Sequence, residues 1–283
     1  MEQAEYVLQV KGLKVSVETA AGYLPLIEDV NLELKPGRVL GLVGGSGSGK
    51  TVTSLALLQM LDRQTSVIEG SIRLHTRELN GLPEKDMRRL RGSSLALIMQ
   101  NPMTAFSPVY TIGVQFVESI RTHVKLGKKE ARACAIRSLA DVNLPDPAAL
   151  LQKYPYELSG GMLQRVMLAL TLCLKPSVII ADEPTTALDV TNQLQVLRQL
   201  DRMRQEHGTA ILLISHDLGV IAELADEVAV MQHGRIVETA DVFELFDHPR
   251  HEYTRELLAA RPLLQLSPQL GASYDWNSGR IHA

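Results

Sequence analysis

The chain has 283 residues, 45% of them hydrophobic and 22% charged, a balance that fits a folded globular protein and excludes a disordered or fibrous one. Its formal charge of -3, from 29 basic and 32 acidic residues, gives no overall electrostatic reason to expect a nucleic-acid or anionic-membrane ligand. The two cysteines, Cys134 and Cys173, are too few for a disulfide scaffold and fit a reduced cytoplasmic setting; the N-terminal residues lack the basic and apolar regions of a secretory signal, and no apolar run approaches the roughly 18 to 20 residues of a membrane helix.

In chain order, residues 6–34 cluster β-branched residues and leucines and predict strands of a small sheet, with a break over 18–25. Residues 38–43 form a compact apolar strand that runs into glycines and serines, and 51–60 predict a helix. A short strand over 70–76, a charged surface segment over 83–91 and a strand over 94–100 follow, then a loop over 101–108. Apolar residues recur at spacings near 3 and 4 in 114–126, 128–142 and 161–174, so this stretch predicts a helical lobe inserted between parts of the central domain. Apolar strands over 178–181 and 210–215 flank a helix over 192–206, a pattern that argues for a mostly parallel sheet covered on both faces. Residues 227–231 and 235–239 predict a terminal hairpin, short helices cover 243–246 and 252–260, and the tail from Pro262, rich in Pro, Ser, Gly and Asn, is expected to be loosely held.

Gly44-Gly45-Ser46-Gly47-Ser48-Gly49-Lys50-Thr51 matches the full G-x-x-x-x-G-K-[ST] pattern of a phosphate loop, between an apolar strand and a helix as that loop requires. Its glycines let backbone N–H groups converge on phosphate oxygens, and the following helix presents its positive end to the same anion. Lys50 is placed to reach the β- and γ-phosphates, and the Thr51 hydroxyl to hold Mg²⁺. Further on, Asp182 and Glu183 close an apolar strand. Beside a phosphate loop, Asp182 is the expected Mg²⁺ ligand, directly or through an intervening group, and Glu183 is positioned to orient or deprotonate the attacking water. His216, after the strand over 210–215, is available to touch the γ-phosphate or hold that water; a lone histidine is more often structural or a solvated turn residue.

Leu158-Ser159-Gly160-Gly161-Met162-Leu163-Gln164-Arg165 resembles the signature sequence of ATP-binding cassette ATPases, and it sits ahead of Asp182-Glu183 as in that family. Gln100 resembles the glutamine-loop residue, Ala187-Leu188-Asp189 the D-loop and His216 the switch histidine, so five ordered motifs span positions 44 to 216. The resemblance implies an α/β P-loop NTPase of the cassette type: a central mostly parallel sheet, an N-terminal antiparallel β subdomain, and a helical subdomain over about 108–175, all within a single domain over 1–262, with the tail at 263–283. It also implies a head-to-tail dimer binding ATP and Mg²⁺. In that dimer Ser159, Gly160 and Gly161 contact the nucleotide of the opposite subunit, Gln100 senses Mg²⁺ and water, and Asp189 carries information across the interface. Family members usually stack an aromatic residue on adenine; Tyr23 is the candidate here, and a plain surface tyrosine is the alternative reading.

Residues 100–108 resemble the glutamine loop of the peptide and nickel importer branch, and His248-Pro249-Arg250-His251-Glu252-Tyr253-Thr254-Arg255-Glu256-Leu257-Leu258 resembles its segment after the core, with Glu252 where proline is common. Within the branch, the phosphate loop and signature are most similar to the first ATPase of nickel import systems. The expectation is therefore an ATP-hydrolysing importer subunit for nickel or a nickel chelate, with a di- or oligopeptide importer as the alternative. The implied partners are a second homologous ATPase, two permeases and an extracytoplasmic binding protein, which would hold the chain peripherally at the cytoplasmic face of the inner or plasma membrane. No cysteine follows Cys173, so no iron–sulfur cluster is expected. The competing class, a soluble cassette ATPase of DNA maintenance, places a very long coiled coil between glutamine loop and signature, whereas only 58 residues separate Gln100 from Ser159 here.

Overall fold

The computed structural model of the chain describes residues 6–186 and 189–260, without the side chains of Val190 and Thr191, and the backbone of two paired strands, Tyr274–Asp275 and Arg280–Ile281. The rest of the expected tail, and Ala187 and Leu188 of the expected D-loop, lie outside the described residues. In order, the elements are β1 (Leu8–Thr19), β2 (Gly22–Leu34), β3 (Val39–Val43), α1 (Lys50–Leu57), β4 (Ser66–Leu74), β5 (Arg77–Glu78), α2 (Glu84–Leu90) and β6 (Leu95–Ile98). A 3₁₀ turn at Pro102–Ala105 leads to α3 (Ile112–His123), α4 (Lys128–Asp141), α5 (Pro147–Leu150) and α6 (Gly160–Leu174). Then come β7 (Val178–Asp182), α7 (Val190–His207), β8 (Ala210–Ile214), α8 (Leu218–Leu224), β9 (Glu227–Gln232), β10 (Arg235–Asp241), α9 (Val242–Asp247) and α10 (Glu252–Ala259).

The central sheet has the order β10-β9-β3-β8-β7-β6, parallel from β9 to β6 with β10 antiparallel at the edge. Alternate residues of its inner strands feed two separate cores. Val39 and Val43 of β3, Ile179 and Ala181 of β7, and Ile211 and Leu213 of β8 face the helical side. Leu40 and Leu42, Val178 and Ile180, and Leu212 and Ile214 face the second, antiparallel sheet, of order β2-β1-β4-β5, and α1. Burial on both faces is why these strands read as unbroken apolar runs and not as alternating ones.

The expected break over 18–25 is a two-residue turn at Ala20 and Ala21. The Thr19 hydroxyl donates to the Gly22 carbonyl at 2.6 Å, Gly22 takes φ 112°, and Tyr23, Leu24 and Pro25 pair with Glu18, Val17 and Ser16. Polar and turn-forming residues there mark the exposed end of a hairpin, not its interruption. The charged segment over 83–91 folds as α2, with Glu84 and Asp86 in its first turn and Arg88 and Arg89 in its last, each favoured by the helix dipole. Helix α8 has no counterpart among the elements read from the sequence; Asp217 caps it by accepting from the Gly219 N–H at 2.9 Å.

Helices α3, α4 and α6 pack as a lobe around Phe116, Ile120, Ala131, Ala135, Leu139, Leu163 and Val166, all essentially buried. This packing brings together the two cysteines, 39 positions apart: Cys134 Sγ lies 2.9 Å from Cys173 Sγ, which also meets Ser138 Oγ at 2.8 Å. Both are free thiols. Burial, and then the contact with Cys134, push the Cys173 thiol well above its ordinary range. Because the thiolate is the reactive form, iodoacetamide at pH 8 should modify Cys173 at least ~10-fold more slowly in the folded protein than after denaturation. The folded state holds this proton more tightly than the unfolded chain does, so this group's contribution to stability is lost as pH rises above the ordinary thiol value. Mass spectrometry of alkylated peptides checks the rate, and equal rates in both states would contradict the burial argument. Among the described residues no helix is long and apolar enough to cross a membrane, and no group of three or more His, Cys, Asp or Glu side chains is placed to hold a metal ion.

Candidate active site

Because β3, β8, β7 and β6 run parallel and in register, their carboxyl ends fall along one edge: Leu42 pairs with Ile214, Ile214 with Asp182, and Ala181 with Ile98. The segments leaving those ends carry the phosphate loop, His216, Asp182-Glu183 and Gln100 respectively. Open parallel sheets place ligands in the crevice beyond such an edge. Here that crevice is a cleft of about 690 Å³ lined by Leu26, residues 46–52, Gln100, Glu183 and His216.

The loop over 44–51 is closely held. A Cβ on Gly44 would lie 2.2 Å from the Met231 carbonyl oxygen, and Gly49 takes φ 110° with its hydrogen against Ile27 and Met231, so neither position accepts a side chain. Gly234 in the β9–β10 turn donates its N–H to the Ser48 carbonyl at 2.9 Å. The Lys50 ammonium donates to the carbonyls of Gly44 and Gly45, both at 2.9 Å, and reaches Ser48 Oγ at 3.4 Å. Burial holds its pKa below the ordinary lysine value, opposed by the charges of Glu183 and Asp182. Ser46, Gly47 and Thr51 are exposed to the cleft side of the loop, and Ser48 is buried beneath it.

Asp182 is 8% exposed. Burial raises its pKa; hydrogen bonds from Thr51 and Ser54, the latter at 3.3 Å, oppose that rise, and Glu183 reinforces it. A desolvated carboxylate between a threonine hydroxyl and a second acid is a place where a cation relieves an electrostatic cost, so the donor set fits Mg²⁺. Glu183 has both oxygens engaged. Oε1 lies 2.9 Å from His216 Nδ1, while Oε2 accepts from Gln100 Nε2 at 3.0 Å and from the Thr186 hydroxyl at 2.8 Å. Its backbone takes φ 48°, a left-handed conformation uncommon outside glycine, and its N–H donates to the Ile214 carbonyl at 2.9 Å. Three segments thus converge on one carboxylate at the cleft wall.

Other expected site residues stand apart from this cleft. Ser159 caps α6, accepting from the Met162 N–H at 3.3 Å, and with Gly160 is exposed; Gly161 is half-buried. Asp189 caps α7 by accepting from Asn192 N at 2.9 Å. Tyr23 is 61% exposed near the tip of the β1–β2 hairpin, and β2 reaches the cleft wall through Leu26 instead. Four residues given no site role by the sequence also touch the site. Ser54 and Thr186 hold the two carboxylates, Gln164 Nε2 donates to the Pro184 carbonyl at 2.9 Å, and the Tyr253 hydroxyl accepts from Gly45 N at 2.7 Å. Ser54 lies one helical turn beyond Lys50, a signal that spacing alone offered; the other contacts depend on the fold.

A sequence model of the family described as ABC transporter matches residues 27–186, more than half of the chain. A putative peptide import ATP-binding protein of Brucella melitensis is 44% identical over 264 residues, covering 91% of this chain and 78% of the relative. The glutathione import ATP-binding protein GsiA of Salmonella choleraesuis is 44% identical over 272 residues, covering 94% of this chain but 43% of GsiA, so the chain spans less than half the length of that relative. Among solved structures, the dimeric ATP-binding cassette MJ0796 in a post-hydrolysis state with ADP and Pi superposes with a TM-score of 0.74 at 22% identity, covering 83% of this chain and 98% of that one. CbiO1 of Clostridium perfringens, part of the ABC transporter complex cbiONQ, superposes with a TM-score of 0.70 at 25% identity, over 86% and 92% of the two chains. These superpositions carry the same α/β cassette architecture that the strand order describes.

Proposed function

We propose that this chain, which belongs to the ABC transporter family as an ATP-hydrolysing subunit of the peptide/nickel importer type, powers the uptake of peptides through permease partners. For the chemistry, the observation that carries the reading is the convergence of Gln100, Thr186 and His216 on Glu183, across one cleft from the phosphate loop. Loop N–H groups beyond Gly45, up to Thr51, and the Lys50 ammonium bind the ATP phosphates, with Lys50 leaving its resting carbonyl partners to do so. Thr51, Asp182 and Gln100 would hold Mg²⁺, which supplies neutralisation of phosphate charge. Glu183 orients the attacking water and accepts its proton, and His216 and Gln100 fix the carboxylate that does so. Ser159, Gly160 and Gly161, set apart from their own chain's cleft at a helix start where the first two are exposed, complete the nucleotide site of a second cassette. Asp189 lies on the path between the two sites. Tyr23 is the adenine-facing aromatic in this reading, its exposure leaving a free ring face.

The partners remain those of a binding-protein-dependent importer: a second ATPase, two permeases and an extracytoplasmic binding protein, with this chain peripheral at the cytoplasmic face. In support, Met103, Val109, Tyr110 and Val114 are exposed apolar residues around the loop after Gln100 and the start of α3. Gln115 pins that loop through Ser107 N at 2.8 Å, Ser107 O at 3.0 Å and Tyr110 O at 2.9 Å. We take the cassette to span 1–262, with the helical subdomain over about 108–175 and the tail at 263–283.

For the solute, the relatives favour peptides over the nickel expected from the motif comparison: the Brucella relative is named for peptide import and the Salmonella relative for import of glutathione, itself a tripeptide. ATPase activity of the assembled transporter in membranes, with its binding protein, should be stimulated by di- and oligopeptides or glutathione. Stimulation by Ni²⁺ or a nickel chelate alone would overturn the peptide reading while leaving the ATPase in place.

A further inference from the structure

The phosphate loop is held from outside by a residue that follows the whole cassette core. Tyr253, half-buried in α10, accepts a hydrogen bond from the Gly45 N–H at 2.7 Å, across 208 positions of sequence, and a Cβ on Gly45 would stand 3.0 Å from the same oxygen. The tyrosine is itself fixed. Glu238 of β10, 9% exposed, accepts the N–H groups of Arg250 at 2.8 Å and His251 at 2.9 Å, and His251 Nδ1 accepts from Tyr253 N at 3.2 Å, capping the helix that carries the ring. The Gly44 carbonyl, on the other side of the same peptide, is held by Lys50 Nζ at 2.9 Å, and the Gly45 carbonyl by Lys50 Nζ at 2.9 Å and Ser48 N at 3.3 Å. When Lys50 turns to a triphosphate, its bonds to both carbonyls are given up, and the bond to Tyr253 keeps the Gly44–Gly45 peptide in place.

We infer that Tyr253 is a positioning residue for ATP: its hydroxyl fixes the Gly45 peptide while Lys50 exchanges backbone carbonyls for phosphate oxygens. The inference rests on the reading of residues 44–51 as the ATP phosphate site. A loop with several glycines has many conformations to lose, and a ligand that must order it binds less tightly than one that meets it ordered. The tyrosine acts on nucleotide capture and not on water activation: its hydroxyl meets the loop at Gly45, whereas Glu183 is held by Gln100, Thr186 and His216.

The test is Tyr253→Phe, which keeps the ring and removes the hydroxyl, in the 283-residue chain with MgATP as the probe. The expected result is a KM for ATP raised about five- to tenfold, the scale of one lost hydrogen bond, with kcat within about twofold and an unchanged unfolding midpoint. A KM within about twofold of the parent would overturn the inference. So would a joint fall of kcat and unfolding midpoint with KM unmoved, the signature of a packing role alone. Lys50→Ala, run alongside, separates this inference from the site reading beneath it. If Lys50→Ala loses MgATP binding while Tyr253→Phe matches the parent, only the role of Tyr253 fails. If Lys50→Ala binds MgATP as the parent does, the loop is not the phosphate site and both readings fail together.

Discussion

Glu183→Gln should slow ATP hydrolysis by about 10²- to 10⁴-fold while MgATP still binds, the range associated with a lost general base. The substitution preserves most of the local geometry. A glutamine oxygen can accept from Gln100 and Thr186, which now meet Oε2 at 3.0 and 2.8 Å, and the amide nitrogen takes the place opposite His216 Nδ1 where Oε1 now lies at 2.9 Å. What disappears is the capacity to take a proton. Phosphate release measured against a parallel MgATP titration isolates that loss, and turnover near the parent rate would remove Glu183 from the water-activating role.

Lys50→Ala acts at the opposite wall and should act on binding first. The ammonium organises Gly44 and Gly45 through two bonds of 2.9 Å, and it is the cationic side chain among the residues lining the cleft. Hydrogen bonds to a charged group carry enough energy that deleting this one should weaken MgATP affinity by about 10- to 100-fold. Equilibrium titration with MgATP is the check. Unchanged affinity would mean that the loop over 44–51 is not the phosphate site.

The contrast between these two residues shows what sequence can carry. The loop over 44–51 was legible because its function is local: one turn, its glycines, one lysine and one hydroxyl all lie within eight positions. The strands over 178–182 and 210–214 were legible because burial on both faces leaves solid apolar runs. That Glu183, His216 and Gln100 would meet was suggested by motif order, but their distances depend on β6, β7 and β8 lying side by side in register, which no spacing encodes. Helix α8, seven residues long, offers too few positions for a helical period, and its cap Asp217 is a single polar residue that fits a turn equally well. The polar residues at 18–25 resembled a loop because a hairpin end and a loop use the same exposed, turn-forming chemistry. The contact of Tyr253 with Gly45 joins the last helix of the core to its first loop and was beyond local pattern altogether. The solute left no mark on the motifs, since the groups that handle ATP are indifferent to what crosses the membrane.

The bond from Gln164 Nε2 to the Pro184 carbonyl has a mechanical side. Gln164 is buried one turn into α6, the helix that begins at Ser159, and Pro184 directly follows Glu183. A displacement of the helical lobe therefore pulls on the backbone adjoining Glu183, whose left-handed φ of 48° already sits where few residues settle. A load on the outer surface of the lobe that shifts α6 along this bond would thus reach the backbone beside Glu183 without any contact with the nucleotide.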